Sequence, residues 1–241
     1  MILSMTSIVL HTKSYTSPAR SELPRLEKRL PALLSVIAGT VDVIGFLTLG
    51  LFTAHITGNL VVIAALLVRG GPLNISQVLA VPIFAAAVAA VWGIAKALER
   101  SGNALARPLL LIQFLLLMCA MIFSIIYGPV ANRQSWTSVV IALIAVSAMA
   151  SQSAFLHLAL AGAPSTAVMT GNLTNAVLSL LDTLSPSHPL EEGARARLKK
   201  TLTVVVGFLA GCIAGAAAVT ILGAWAWSVP VVLAGLAVIW R

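Results

Sequence analysis

Charge is what this chain has least of. Asp, Glu, Lys and Arg make up 9% of its 241 residues, against about 25% in soluble globular domains. An ordinary soluble domain is therefore excluded. Carboxylates are scarcest, at Glu22, Glu27, Asp42, Glu99, Asp182, Glu191 and Glu192, and only Asp42 lies deep inside an apolar run. A two-carboxylate hydrolase or a hard-cation site needs several acidic groups together, so neither is expected. Cysteine is nearly absent too. Cys119 and Cys212 both fall in apolar segments, without metal-ligand or redox spacing, and read as packing residues. No HExxH, P-loop or GxSxG pattern occurs. No catalytic residue, metal or cofactor is expected, and the chain reads as a non-enzyme.

What is present is apolar. Hydrophobic residues make up 59% and the mean hydropathy is +1.02. Eight runs stand out, at roughly 31–50, 53–68, 77–97, 108–127, 136–160, 166–182, 200–223 and 225–240. Most approach the ~20 residues that a helix needs to cross a bilayer core. Strand-type alternation is missing, so a closed barrel is not expected. The expected fold is all-α: a polytopic transmembrane bundle of about eight helical segments and six to eight passes. Residues 1–30 read as a basic arm on the cytoplasmic side, and 31–241 as one transmembrane domain. The arm's basic cluster follows its short apolar stretch, which is the wrong order for a signal peptide. The net charge of +8 sits at segment borders, where the positive-inside rule accounts for it without nucleic acid.

The tetrapeptide Thr-Gly-Asn-Leu occurs twice, at Thr57–Leu60 and Thr170–Leu173. Its context repeats as well: Thr53-Ala54-His55-Ile56-Thr57-Gly58-Asn59-Leu60 and Thr166-Ala167-Val168-Met169-Thr170-Gly171-Asn172-Leu173 share six of eight positions, 113 residues apart. Ala85, Ala89 and Gly93 align with Gly207, Gly211 and Gly215, and Pro108 with Pro230, at an offset of 122. The expected organisation is two four-segment repeats, about 31–130 and 136–241. Each motif segment is only about 16–17 residues, some 25 Å as a helix. Paired short segments at matching positions in two halves point to a transporter binding site.

Topology stays open at this stage. Eight passes with the N-terminus inside put 12 Lys and Arg inside and three outside; six passes, with the motif segments not crossing, give 13 and two. Both place the N- and C-termini in the cytoplasm. Eight passes make the halves parallel repeats, and six make them inverted ones.

Polar residues in the apolar runs are the candidate site. Asp42 shares a helix face with Ser35, Ala38, Gly39 and Gly45. A carboxylate there should face protein or water, either as a coupling or ligand group or as an acceptor for a neighbouring helix. His55 and Asn59 are spaced i, i+4, so a helix would place them on one face. Gln152 and His157 lie in the fifth run. Thr57, Gly58, Asn59, Thr170, Gly171 and Asn172 can bond across helices, permit close approach, or line a cavity. Trp136, Trp225, Trp227 and Trp240 end segments like an aromatic belt. Trp92, inside a run, reads as packing.

The stretch Ala38-Gly39-Thr40-Val41-Asp42-Val43-Ile44-Gly45-Phe46-Leu47, with Phe52-Thr53-Ala54-His55-Ile56-Thr57-Gly58-Asn59 and Val168-Met169-Thr170-Gly171-Asn172, resembles the YoaK-like family of bacterial inner-membrane proteins, a domain of unknown function. Gly39, Asp42, Phe46, Thr57, Gly58, Asn59, Thr170, Gly171 and Asn172 match its signature. Its usual Gly-x-Gln-Asn-like stretch is Ala150-Ser151-Gln152-Ser153 here, so Gln152 alone fits. The resemblance implies the bacterial cytoplasmic membrane and no substrate. Two functional expectations follow: a small-solute secondary transporter or exporter with a site between the halves, or a non-transporting scaffold or partner subunit whose polar motifs only pack helices. The expected partners are the lipid bilayer and a small solute.

Overall fold

The computed structural model describes residues 23–127, 135–160, 162–184 and 192–239. These form helices joined by short connections, with no strand among the described residues. The expectation of an all-α fold holds. The order is α1 (Leu23–Ile44), running into a π-helical turn (Gly45–Leu49); α2 (Ile56–Arg69); α3 (Ile75–Arg100); α4 (Ala106–Tyr127); α5 (Trp136–Ala159); α6 (Met169–Leu184); α7 (Glu192–Leu222); a 3-10 turn (Gly223–Trp227); and α8 (Ser228–Ile239). Five helical spans are long and apolar enough to cross a membrane, at Arg29–Leu49, Ile75–Arg100, Ala106–Tyr127, Trp136–Ala159 and Arg195–Ile239. Helix α1 starts at Leu23, so the helix takes in part of the arm expected at 1–30. The rest of that arm lies outside the described residues, as does Trp240.

The core is built on α1 and α5, the two most buried long helices. Helix α1 packs most extensively on α7, and α3 packs on α5; α4 lies between α5 and α8. The α1–α7 contact is a backbone contact. A Cβ on Gly207 would collide with Ser35, one on Gly211 with the Val36 carbonyl, and one on Gly215 would lie 2.7 Å from the Thr40 carbonyl oxygen. Residue numbers rise together on both helices, so α1 and α7 run parallel. Thr40 Oγ1 donates across the seam to the Gly211 carbonyl at 3.1 Å. The matching stripe on α3 behaves differently, since nothing lies within 4 Å of a Cβ placed on Gly93.

Two tethers fix where the chain turns. Asn74 Nδ2 donates to the Leu49 carbonyl at 3.0 Å, and Gln77 Nε2 to the Gly50 carbonyl at 2.7 Å. The end of α1 and the start of α3 therefore sit at the same end of the bundle, although α2 lies between them in sequence. Further along the chain, Lys200 Nζ donates to the Gly162 carbonyl at 2.7 Å, which brings the N-terminal part of α7 to the end of α5. Ser124 Oγ donates to the Ala224 carbonyl at 3.2 Å, so α4 and α7 finish together.

Tryptophan placement departs from expectation at two positions. Trp136 and Trp225 are exposed, as a belt requires, but Trp227 is 1% exposed. The 3-10 turn, entered through Gly223 at φ +55°, folds it inward. Trp92, expected to pack, is 53% exposed.

Candidate functional site

The site begins where α1 unwinds. The π turn ends at Gly50, whose left-handed conformation (φ 76°) lets its N–H reach the carbonyls of Gly45 and Phe46. The chain then doubles back along α1. Asp42, 4% exposed, holds the returning strand. Its Oδ1 accepts from Thr53 N at 2.7 Å, Ala54 N at 2.6 Å and Thr53 Oγ1 at 3.1 Å. Its Oδ2 lies 2.5 Å from His55 Nδ1, a contact that requires a proton between the two atoms. A carboxylate at the centre of a membrane helix costs roughly 2.5–3.5 kcal/mol. Hydrogen bonds to charged groups contribute about 1.5–3 kcal/mol each, so three donors on Oδ1 are enough to offset it. Irregular backbone beside apolar helices needs its polar groups satisfied by protein or water, and Asp42 does so for Thr53 and Ala54. Asp42 is seven residues before Leu49, so the returning segment runs back along α1 by about 10 Å.

His55 stands at the N-cap position of α2, with φ −90° and ψ 61°, and its side chain makes no capping bond. It consequently does not share a helix face with Asn59, as the i, i+4 spacing predicts. Its ring meets Phe208 of α7 edge-on at 5.1 Å. Asn59 turns back on its own loop instead: Nδ2 donates to the Phe52 carbonyl at 2.7 Å, and Oδ1 accepts from Phe52 N at 2.9 Å. Phe52 in turn stacks on Phe46 of the π turn at 4.9 Å. Gly58 leaves room for that ring, since a Cβ there would lie 3.0 Å from it.

The second motif repeats the device. Asn172 Nδ2 donates to the Ser165 carbonyl at 2.6 Å. Ser165 stands seven residues before Asn172, as Phe52 does before Asn59. Thr166, the counterpart of Thr53, is held by Gln152 Nε2 at 2.9 Å. Gln152 also donates to the Leu34 carbonyl of α1 at 3.0 Å and accepts from Gln113 Nε2 of α4 at 2.7 Å. It ties three helices and a loop together while fully buried. Both Asn side chains therefore clasp their own loops and not a neighbouring helix. Thr57 and Thr170 are exposed and take no part. Gly171 has only Val168 near it, 3.4 Å from a placed Cβ. His157 lies apart from Asp42, in a groove between α3 and α5, with Nδ1 2.9 Å from the Ser153 carbonyl.

Residues outside the expected set complete the arrangement: Thr53, Thr166, Asn74, Gln77 and Gln113. An amide inside an apolar run is the same signal that picks out Asp42, and it would have found Gln113. Asn74 caps α3 by accepting from Ser76 N at 2.9 Å, a capping role legible in sequence. Its bond to Leu49 is not legible there. Gln77 Oε1 and Ser76 Oγ are buried without a partner among the described residues, so hydrogen-bonding capacity is left over at this seam. No cluster of three potential metal ligands occurs among the described residues.

Five helical spans of this length and hydropathy are consistent with a multi-pass helical membrane protein. The chain belongs to the family described as Protein of unknown function (DUF1275), which it matches over residues 30–240. No curated protein and no solved structure matches it significantly.

Proposed function

We propose that the chain is a six-pass protein of the bacterial cytoplasmic membrane, made of two inverted four-segment repeats, and that it carries a small solute across the bilayer without catalysis. In this reading α1, α3, α4, α5, α7 and α8 cross. Helices α2 and α6 are re-entrant segments, entered from opposite sides. Both termini are cytoplasmic. The observation that carries the reading is the tethering of the end of α1 to the start of α3 by Asn74 and Gln77, with Lys200 to Gly162 as its counterpart. A helix that starts where the last crossing ended leaves no pass for the segment between them. Three crossings per half then invert the second half relative to the first, a common transporter design. Asp42 and His55 are the coupling pair, because the proton between them is attached to the loop that would move.

The test is a flux assay on the full chain in proteoliposomes under a pH gradient. A set of small solutes is screened for those that dissipate the gradient only when protein is present. Asp42→Asn should abolish solute-dependent proton movement while the protein remains folded in the membrane. Unchanged flux in that variant would remove Asp42 from coupling, and the lack of any active solute would count against transport. A second reading, a non-transporting scaffold, draws on one observation. Asp42, Asn59 and Asn172 each direct their bonds to their own loops and not to a shared space.

A further inference from the structure

The two copies of the motif are held by different chemistry. Thr53 and Thr166 stand at the same position of the repeat, 113 residues apart. Thr53 and the next amide, Ala54 N, bond to Asp42. Thr166 Oγ1 accepts from Gln152, and the next amide, Ala167 N, donates to the Ser165 hydroxyl at 3.2 Å. The residue aligned with Asp42 at that offset is Phe155, and Gln152 lies three residues before it, about one turn away on the same face of α5. A neutral amide thus does in the second half what a carboxylate does in the first. Gln152 is itself fixed on the Leu34 carbonyl and on Gln113, so every group in that network is neutral. Asp42 differs in that all four of its bonds run to the loop, from Thr53 N, Thr53 Oγ1, Ala54 N and His55 Nδ1, and its charge can change. Protons have a route to it, since the His55 side chain is 29% exposed against 5% for Asp42. On the elements packed around Asp42, Cys212 of α7 lies close enough to sense its charge. Helix α8 carries no titratable residue, and the one on α5, His157, lies in the groove towards α3.

We propose that the first loop, 50–55, is a proton-operated latch and that the second, 163–168, is a fixed anchor. Acidification carries the Asp42–His55 pair to a neutral carboxyl beside an imidazolium. Hydrogen bonds to an ionised group are roughly twice as strong as neutral ones, so every bond by which Asp42 holds the loop on α1 then loses its charge assistance. The same protons meet no carboxylate in the second network, and 163–168 stays in place. This deepens the transport reading, on whose coupling pair it rests: protonation frees one half, and the other is the support against which it moves.

Hydrogen–deuterium exchange of the full chain in lipid nanodiscs, read by mass spectrometry in neutral and mildly acidic buffer, tests the latch. An unstructured peptide in the same buffers corrects for the intrinsic pH dependence of exchange. In wild type, protection of the Thr53 and Ala54 amides should fall about ten-fold on acidification, as charge-assisted bonds weaken to neutral ones, while that of Thr166 and Ala167 should hold. Asp42→Asn keeps an oxygen acceptor but cannot titrate, so its first loop should be equally protected in both buffers. Asn59→Ala loosens the same loop without touching the charge; it should lower protection in both buffers and keep the acid response. An acid response shared by both loops would mark general destabilisation and overturn the proposal, as would a wild-type response in Asp42→Asn. Exchange needs no solute. A chain that shows this response without flux keeps the latch and loses transport, and one that carries solute with both loops unresponsive keeps transport and loses the latch.

Discussion

Asn59 and Asn172 perform the same work at the residue scale. Each closes a loop of seven residues against the helix that follows it. Replacing either with Ala leaves a backbone carbonyl without its donor, and for Asn59 the Phe52 N–H without its acceptor. Removing one partner of a buried hydrogen bond costs about 1–3 kcal/mol. Asn59→Ala should therefore lower the thermal midpoint more than Asn172→Ala, because it breaks two bonds to backbone, where the other breaks one to backbone and one long bond to Met169 Sδ at 3.9 Å. The two losses should add in the double variant, since the side chains share no partner. Thermal unfolding in detergent measures all three. Equal or negligible shifts would show that the clasps do not hold the loops. Asp42 differs from both: it satisfies two backbone amides, a hydroxyl and an imidazole at once. It makes four of the bonds that hold the returning segment, and Asn59 adds two at Phe52.

At the scale of elements, the two small-residue stripes are alike in sequence and unlike in structure. Gly207, Gly211 and Gly215 put the α7 backbone directly on α1, whereas Gly93 meets nothing. Gly211→Ala should force the seam apart and destabilise by about 1–3 kcal/mol, the usual range for overpacking. Gly93→Ala should be neutral or stabilising by roughly 0.5–1 kcal/mol, through helix propensity alone. Thermal shifts of the two variants would separate the roles, and similar losses from both would mean that α3 also packs through its stripe. Short length has a comparable physical meaning for α2 and α6. Helices of 14 and 16 residues extend only about 21 and 24 Å, less than a bilayer core of about 30 Å; α8, at 12 residues, is shorter still and completes a pass only together with the 3-10 turn before it.

The whole molecule is decided by its turns. If α2 is re-entrant, Arg69 and Arg100 lie on opposite faces of the membrane with Arg69 outside. Eight passes would reverse the assignment. With Cys119 and Cys212 replaced by Ser, a membrane-impermeant thiol reagent added to intact cells should label Arg69→Cys and spare Arg100→Cys. Labelling of Arg100→Cys alone would restore eight passes and remove the inverted repeat on which the transport reading rests.

Composition alone determined the class of this protein. With 9% charged residues and no strand-type alternation, long helical spans are what is left to satisfy the backbone among apolar side chains. The duplicated motif and the isolated carboxylate were equally legible, because both break the apolar pattern locally. Periodicity misplaced His55, since it assumes that helix continues where Asp42 has in fact drawn the backbone out of it. Nothing local marks Trp227 for burial or Trp92 for exposure; their neighbours in space come from other segments. Charge counting could not separate six passes from eight. The six-pass proposal draws instead on bonds from Asn74 to Leu49, Gln77 to Gly50 and Lys200 to Gly162. Those partners lie 25 to 38 residues apart in sequence, and only the packed fold brings them together.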